Sequence, residues 1–396
     1  MRIAFYSDSY TPYVSGVVRS IQRFTKGLVK QGHEVYIFAP FYYGKELDTE
    51  MAQHSDPYAS RVFRFYSIPA PTHPSYFLPL PFTFQSEKLL RNLEIDIIHT
   101  HSPFLTGQLG AILARRLQVP LFFTHHTMYH EYLHYIPAPH KVTKQVVLNV
   151  VKRYCSHCTH IIAPTDVTRQ TIQDLYQLKT PITALPTGID LEPYRNVDKE
   201  WLRTKLQIPK DHSIILSLGR LSKEKNSHLL LEAFQIIQKS LPTSHFVFVG
   251  AGAEREHLQT AAVQLGLETK VHFTGNLNEQ DVVRAYAGSD LFMFASQTET
   301  QGLVTLEAMA ASLPVVAVDG TGTNAVVIHG KNGYLTAPDP KELAKYACEI
   351  LTRPSLRDAL KKMAHEQAQN YSVEITAAQL AHLYEEELRN HSPSRS

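Results

Sequence analysis

The sequence predicts an α/β protein built from two doubly wound domains, each a parallel sheet covered by helices on both faces, with a cleft between the domains. Short, nearly all-apolar runs alternate with amphipathic helical stretches, as expected of strands buried on both faces. That alternation occurs twice, with a break between, which is the signature of two α/β units. The length of 396 residues fits two domains at about 150 residues each.

The strand-like runs of the first half are residues 2–6, 34–39, 95–99, 121–124 and 160–163. Those of the second half are residues 214–218, 245–249, 271–273, 291–295 and 315–318. The break carries Pro193, Pro209 and a charged stretch of Asp198, Lys199, Glu200, Arg203 and Lys205, so residues 191–212 are expected to be a linker with a short surface helix. The first domain is then residues 1–190 and the second residues 213–371. Ile375, Leu380, Leu383, Tyr384 and Leu388 recur at helical spacing, so residues 372–396 should form a helix and tail that pack back on the first domain.

Hydrophobic residues make up 43% and charged residues 19%, which excludes a disordered chain. No apolar run approaches the roughly 20 residues of a membrane span, and Asp8 interrupts the N-terminal run before it could serve as a signal peptide. Cys155, Cys158 and Cys348 cannot make a disulfide framework, so a cytoplasmic protein is expected. Net charge is only +2, but residues 110–165 hold six Lys or Arg against Glu131 alone. Such a field attracts phosphates or anionic lipid, and also suits an ordinary solvated face. Residues 17–31 read as a helix with Arg19, Arg23, Lys26 and Lys30 on one face and Val18, Ile21, Phe24, Leu28 and Val29 on the other. The apolar, proline-broken stretch 76–84, with Tyr76, Phe77 and Phe82, is expected either to enter a membrane interface or line an acceptor groove, or to be a buried connection.

Several chemistries find no support. The segment Cys155-Ser-His-Cys158-Thr-His160 lacks a second ligand pair, so no metal site is expected. Arg255 stands where a dinucleotide fingerprint beginning at Gly250 needs glycine, and that loop reads instead as lining a nucleotide site. No Walker A sequence or D-x-D pair occurs, and no nucleic-acid partner is expected.

Three strand-exit loops carry the candidate site. Residues 7–16 precede a helix, where Gly16 lets backbone approach a ligand and the helix N-terminus favours an anion. In residues 217–226, Gly219 allows a tight turn, Arg220 offers a planar fork to phosphate oxygens and Lys225 adds a point charge. Two such cations would stabilise a departing diphosphate without a metal. In residues 296–309, Glu299 and Glu307 have seven residues between them, and Gly302 should open a helix whose first amides, from Gln301 to Val304, face the opening. Carboxylates beside free amides suit sugar hydroxyls, which both donate and accept.

Arg220 and Lys225, followed by the Glu299–Glu307 pair, resemble the family 4 retaining glycosyltransferases, and the resemblance covers nearly the whole chain. It implies the GT-B fold, with an acceptor domain first and a donor domain second, and no cofactor besides the nucleotide-sugar substrate. It implies that Glu307 holds the ribose of the donor nucleotide and Glu299 the sugar hydroxyls, assisted by Thr300, Gln301, Gly302 and Leu303. Arg220 and Lys225 would bind the diphosphate, helped by the amides at Gly16, and the Gly250 loop would line the donor. His126 is similar to the family's active-site histidine near the reacting sugar carbon, with His125 as its rival. One departure is Ser15, where the family usually has a first glycine before Gly16.

Residues 298–303, 125–136, 223–226 and 98–103 are similar to members that glycosylate diacylglycerol lipids. The expected reaction moves a hexose, glucose from a UDP-linked donor, to diacylglycerol or glycosyl-diacylglycerol. The enzyme would work as a peripheral protein on the inner face of the plasma membrane, with Arg19, Arg23, Lys26, Lys30, Tyr76, Phe77 and Phe82 toward lipid. A polysaccharide, phosphatidylinositol or soluble-sugar acceptor is one alternative, and a sugar-nucleotide epimerase of the same fold is another.

Overall fold

Strands with no polar face must be covered on both sides, and that requirement organises both halves of the chain. The computed structural model describes residues 1–43, 56–70, 73–80, 83–129 and 140–391. Two compact units emerge, Met1–Gly188 with Val373–Ser396, and Ile189–Ser372.

The first unit runs β1 (Arg2–Tyr6), α1 (Gly16–Lys30), β2 (Glu34–Pro40), β3 (Val62–Phe65), β4 (Ser67–Ala70), β5 (His73–Pro79), α2 (Thr83–Asn92) and β6 (Ile97–Thr100). It continues through α3 (Leu105–Leu117), β7 (Leu121–Thr124), α4 (His140–Cys155), β8 (His160–Ala163), α5 (Asp166–Tyr176) and β9 (Ile182–Ala184). Seven strands pair in the order β3-β2-β1-β6-β7-β8-β9, all parallel, while β4 and β5 form a separate antiparallel pair. Every residue of β6, β7 and β8 is buried, so most of their positions are apolar, and polar exceptions such as His99, Thr124 and His160 make hydrogen bonds inside the core.

The second unit runs α6 (Trp201–Leu206), β10 (Ser213–Leu218), α7 (Ser227–Ser240), β11 (Ser244–Val249), α8 (Arg255–Gln264), β12 (Val271–Gly275) and α9 (Glu279–Ala287). Then come β13 (Leu291–Phe294), α10 (Leu303–Ala310), β14 (Val315–Val318), β15 (Gly333–Thr336), α11 (Pro340–Thr352) and α12 (Pro354–Gln369). Its six parallel strands lie in the order β12-β11-β10-β13-β14-β15. In each unit the order reverses beside the first strand, at β1/β6 and at β10/β13. Loops leaving the two strands of such a pair diverge and open a crevice at the carboxyl edge.

Three expectations need correction. Residues 191–212 are no free linker: Leu202 and Ile208 are buried in the core of the second unit, and Arg203 pairs with Asp290 at 3.0 Å. Apart from Arg203, the charges that suggest a linker belong to the outer side of a short packed segment. The basic face of α1 is not open along its length. Arg19, Arg23 and Lys26 are half-buried, and a last helix, α13 (Val373–His391), lies along α1 and pairs Glu374 with Lys30 at 2.7 Å. Phe77 is a buried strand residue, 3% exposed, packed edge-on against Tyr42 and Tyr43, so it does not reach toward lipid. Phe82 and the side chain of Tyr76 lie outside the described residues.

The seam between α1 and α13 is close because Gly27 has no side chain. A Cβ there would sit 2.4 Å from the Cβ of Ala377 and 2.9 Å from the Val373 carbonyl oxygen. Ala377, Leu380 and Tyr384 complete the apolar cluster of Ile3, Phe5, Ile21, Phe24 and Leu28. Helix propensity alone would favour Gly27→Ala by about 1 kcal/mol. The packing predicts the opposite sign, a loss of about 1–3 kcal/mol from overfilling, read as a lower thermal midpoint of unfolding.

Candidate active site

In the second unit the loops after β10 and β11 lie in main-chain contact. Leu221 N donates to Ala251 O at 2.9 Å and Glu254 N to Leu221 O at 3.0 Å. Gly219 and Gly250 have φ of 152° and 136°, and a Cβ at Gly250 would fall 2.0 Å from the Gly219 carbonyl oxygen. Gly250 is therefore needed for the approach of the two loops, whatever it does for a ligand. Gly219, Arg220, Lys225, Ser227, Phe248 and Phe294 line a depression at this edge. Arg220 is exposed, whereas Lys225 is largely covered and its ammonium is ion-paired with the Glu299 carboxylate. Burial works against the charge on Glu224, yet the Ser222 hydroxyl and the cations Arg220 and Lys225 hold its carboxyl below the usual range.

The loop after β13 carries Glu299 and then turns at Gly302, whose φ of 70° and ψ of 50° make it the left-handed cap before α10. The first amides of that helix, at Leu303 and Val304, have no intrahelical acceptor to reach. Gln301 and Gly302 are buried, and Thr300 is half-buried. Glu307 falls in the second turn and is only 1% exposed. The Tyr286 hydroxyl on α9 lies 3.1 Å from its Oε2 and 3.1 Å from the Val304 carbonyl oxygen, which joins the carboxylate to the helix start.

Two contributors escaped the sequence reading. Tyr286 sits at helical spacing among apolar residues and reads as core, so no signal marks it. The loop after β14 does carry a signal, glycines at 320 and 322 just past an apolar run. A Cβ at Gly322 would lie 2.6 Å from both Gln301 N and Glu299 O, and one at Gly320 would lie 2.9 Å from the Gln297 Cα. Thr321 Oγ1 donates to Glu299 O at 2.7 Å. This loop is the floor on which the Glu299 segment rests.

In the first unit Ser15 is the N-cap of α1, and its hydroxyl accepts from Val18 N at 3.3 Å. The residue that departs from the family pattern thus takes one of the helix's free amides and leaves Gly16 exposed. Asp8 ties the loop after β1 to α3: its Oδ1 accepts from Thr106 N at 2.8 Å and Thr106 Oγ1 at 2.7 Å, and Ser102 Oγ donates to Oδ2. Burial raises the Asp8 carboxyl above its ordinary range against the pull of these hydrogen bonds.

The histidine pair after β7 divides its duties. His125 is fully buried among Phe123, Tyr129 and Tyr176, so it is a core residue. His126 is half-buried, and its Nε2 lies 2.9 Å from His101 Nδ1 after β6. His101 stacks in turn on His99, with ring centroids 4.5 Å apart. His99 hydrogen-bonds Tyr384 Oη at 2.5 Å and Thr124 Oγ1 at 2.7 Å. Burial, with His125 adjacent, pushes the His126 imidazole down to about 3, and burial also lowers His99 and His101, so all three rings are neutral near pH 7. Cys155 and Cys158 belong to the core of this unit, and burial raises both thiols, the first to about 12.

Residues 14–193 match the sequence profile described as Glycosyltransferase Family 4, and residues 198–367 match that of Glycosyl transferases group 1. The alpha-monoglucosyldiacylglycerol synthase of Acholeplasma laidlawii is 31% identical over 97% of this chain and 96% of its own. The synthase of the same name from Streptococcus pneumoniae is 32% identical over 80% of this chain and 71% of its own. Among solved structures, Anabaena HepE in complex with UDP superposes with a TM-score of 0.78 at 22% identity, covering 98% of this chain and 100% of that one. Sucrose-phosphate synthase from Thermosynechococcus elongatus gives 0.76 at 20% identity, covering 98% and 99%. These likenesses bear out the fold expected from strand patterning and the family expected from Arg220, Lys225 and the two glutamates: the chain is a glycosyltransferase with the GT-B fold and belongs to family 4.

Proposed function

We propose that this enzyme transfers glucose, with retention of anomeric configuration, from UDP-glucose to diacylglycerol or a glycosyl-diacylglycerol at an anionic membrane surface. One observation carries the donor half of this reading. Arg220, Lys225 and Glu299 meet at the reversal of strand order in the second unit, beside the N-terminus of α10. Two cations and a set of free amides suit a diphosphate, and the UDP complexes of HepE are consistent with that chemistry. The acceptor half rests on the relatives, whose names give monoglucosyldiacylglycerol synthesis.

As the C–O bond to the diphosphate stretches, the sugar gains oxocarbenium character. Arg220, Lys225 and the amides at Gly302 and Leu303 stabilise the leaving oxygens, the preorganised electrostatic contribution that usually dominates. The acceptor hydroxyl attacks from the leaving-group face, and the departing phosphate takes its proton. Glu299 holds sugar hydroxyls, and its release from Lys225 accompanies donor binding. Glu307, kept in place by Tyr286, receives the ribose. The residues present need no metal to carry out these roles. By the family resemblance His126, neutral in its stack, would serve the reacting carbon, where it adds no positive charge to oppose the one forming.

Among the described residues no helix is long and apolar enough to cross a membrane, so a lipid acceptor would be reached from the surface. Exposed Leu105 and Ile112 on α3 and Val146 and Val150 on α4 stand with exposed Arg115, Lys144, Lys152 and Arg153. These residues favour the inner, anionic leaflet of the plasma membrane.

A screen of UDP-glucose, UDP-galactose and GDP-mannose against diacylglycerol, phosphatidylinositol and soluble sugars, read by mass spectrometry, tests the reaction. Glucosyl-diacylglycerol of α configuration is the expected product. Conversion of the donor sugar with no acceptor present would instead mark an epimerase. Arg220→Ala and Lys225→Ala should each lower kcat/KM about 100-fold. Gly322→Ala should weaken UDP binding about 10-fold by displacing the Glu299 segment, as measured by titration calorimetry. Sedimentation with vesicles should require anionic lipid and fall with salt, and Lys152→Glu with Arg153→Glu should weaken it roughly 5-fold per residue. Equal binding to neutral vesicles would refute the electrostatic part of this reading.

A further inference from the structure

The mechanism assigns a task to His126 and none to the two imidazoles behind it. His101 leaves the carboxyl end of β6, next to the reversal point of the first sheet, and is 2% exposed. Its ring is fixed on several sides: stacked on His99 at 4.5 Å, set across Phe5 at 4.9 Å with an interplanar angle of 74°, and near-parallel to His126 at 5.2 Å. Its Nδ1 lies 2.9 Å from His126 Nε2, while its own Nε2 is buried with no hydrogen-bond partner.

These contacts restrict where the protons sit. A neutral imidazole carries one N–H and one lone pair. If His101 held its proton on Nε2, a buried N–H would be orphaned, the costlier kind of unpaired group. Placing the proton on Nδ1 leaves only a lone pair facing the interior and lets Nδ1–H donate to His126 Nε2. His126 must then keep its own proton on Nδ1.

We infer that His101 is a positioning residue: it occupies Nε2 of His126, fixes that ring in the Nδ1–H tautomer, and so makes His126 an N–H donor through Nδ1 and not a base acting through Nε2. The inference rests on the proposed place of His126 beside the reacting sugar, but its core, the tautomer, is independent of that place. His99 backs the stack with both nitrogens already engaged, on Tyr384 of α13 and Thr124 of β7. The orientation of His126 is thereby tied to the seam between α1 and α13 through packed rings and hydrogen bonds.

The test compares His101→Leu with His101→Asn, since the asparagine amide can place an N–H close to where Nδ1 stands. Nitrogen-15 spectra of histidine-labelled protein should show His126 protonated at Nδ1 in the unaltered enzyme and in His101→Asn, and a mixture of tautomers in His101→Leu. With UDP-glucose and diacylglycerol, His101→Leu should lose about 10-fold or more in kcat with KM for donor changed less than about 2-fold, and His101→Asn should recover most of that loss. An unchanged His126 tautomer in a folded His101→Leu, or Nε2 protonation in the unaltered enzyme, overturns the inference. If His126→Ala retains full turnover while the tautomer still follows residue 101, it is the role of His126 that fails, and the positioning by His101 stands.

Discussion

The reversal of strand order is the constraint on which both units depend. At every other place in a parallel sheet, successive loops turn the same way and their helices pack side by side. At β1/β6 and at β10/β13 they turn opposite ways, and the carboxyl edge there cannot be closed by packing. Main-chain amides, a few glycines and charged side chains line what remains. Gly16, Asp8 and His101 belong to the first such edge, and Arg220, Lys225 and Glu299 to the second. These residues occupy the two places where an apolar core cannot extend.

Charge at the second edge is balanced before any donor arrives. Lys225 and Glu299 are both largely covered, and each would be costly to leave alone in that setting. Their pairing satisfies both charges, and in the proposed function an incoming diphosphate would exchange with it. The histidines of the first edge follow the opposite strategy. Neutral and packed together, they supply oriented N–H groups and lone pairs without net charge.

Much of this was legible in the sequence because the relevant signals are local. Short, mostly apolar runs marked β6 to β8 and β10 to β14, and the spacing of Arg220, Lys225, Glu299 and Glu307 marked a strand-exit site. What was not legible depends on distant partners. The basic face of α1 looked open because Glu374, more than three hundred residues further on, could not be placed beside Lys30. Residues 191–212 read as a linker because charges dominate their composition, although Leu202 and Ile208 are buried and Leu191, Tyr194, Trp201 and Leu206 pack against the same core. Tyr286 and His101 were invisible for the same reason: a tyrosine among core residues and a histidine in a loop have no spacing that announces a hydrogen bond to Glu307 or to His126.

The placement of α13 has a consequence for biosynthesis. The first unit lacks its closing helix until the whole second unit has been translated, so the apolar surface of Ile3, Phe5, Ile21 and Phe24 waits, unsheltered, on the ribosome while a complete neighbour forms downstream. Native order in the earliest-made segment is therefore delayed until the latest-made one arrives. The emerging polypeptide carries a built-in interval during which chaperones compete for that surface.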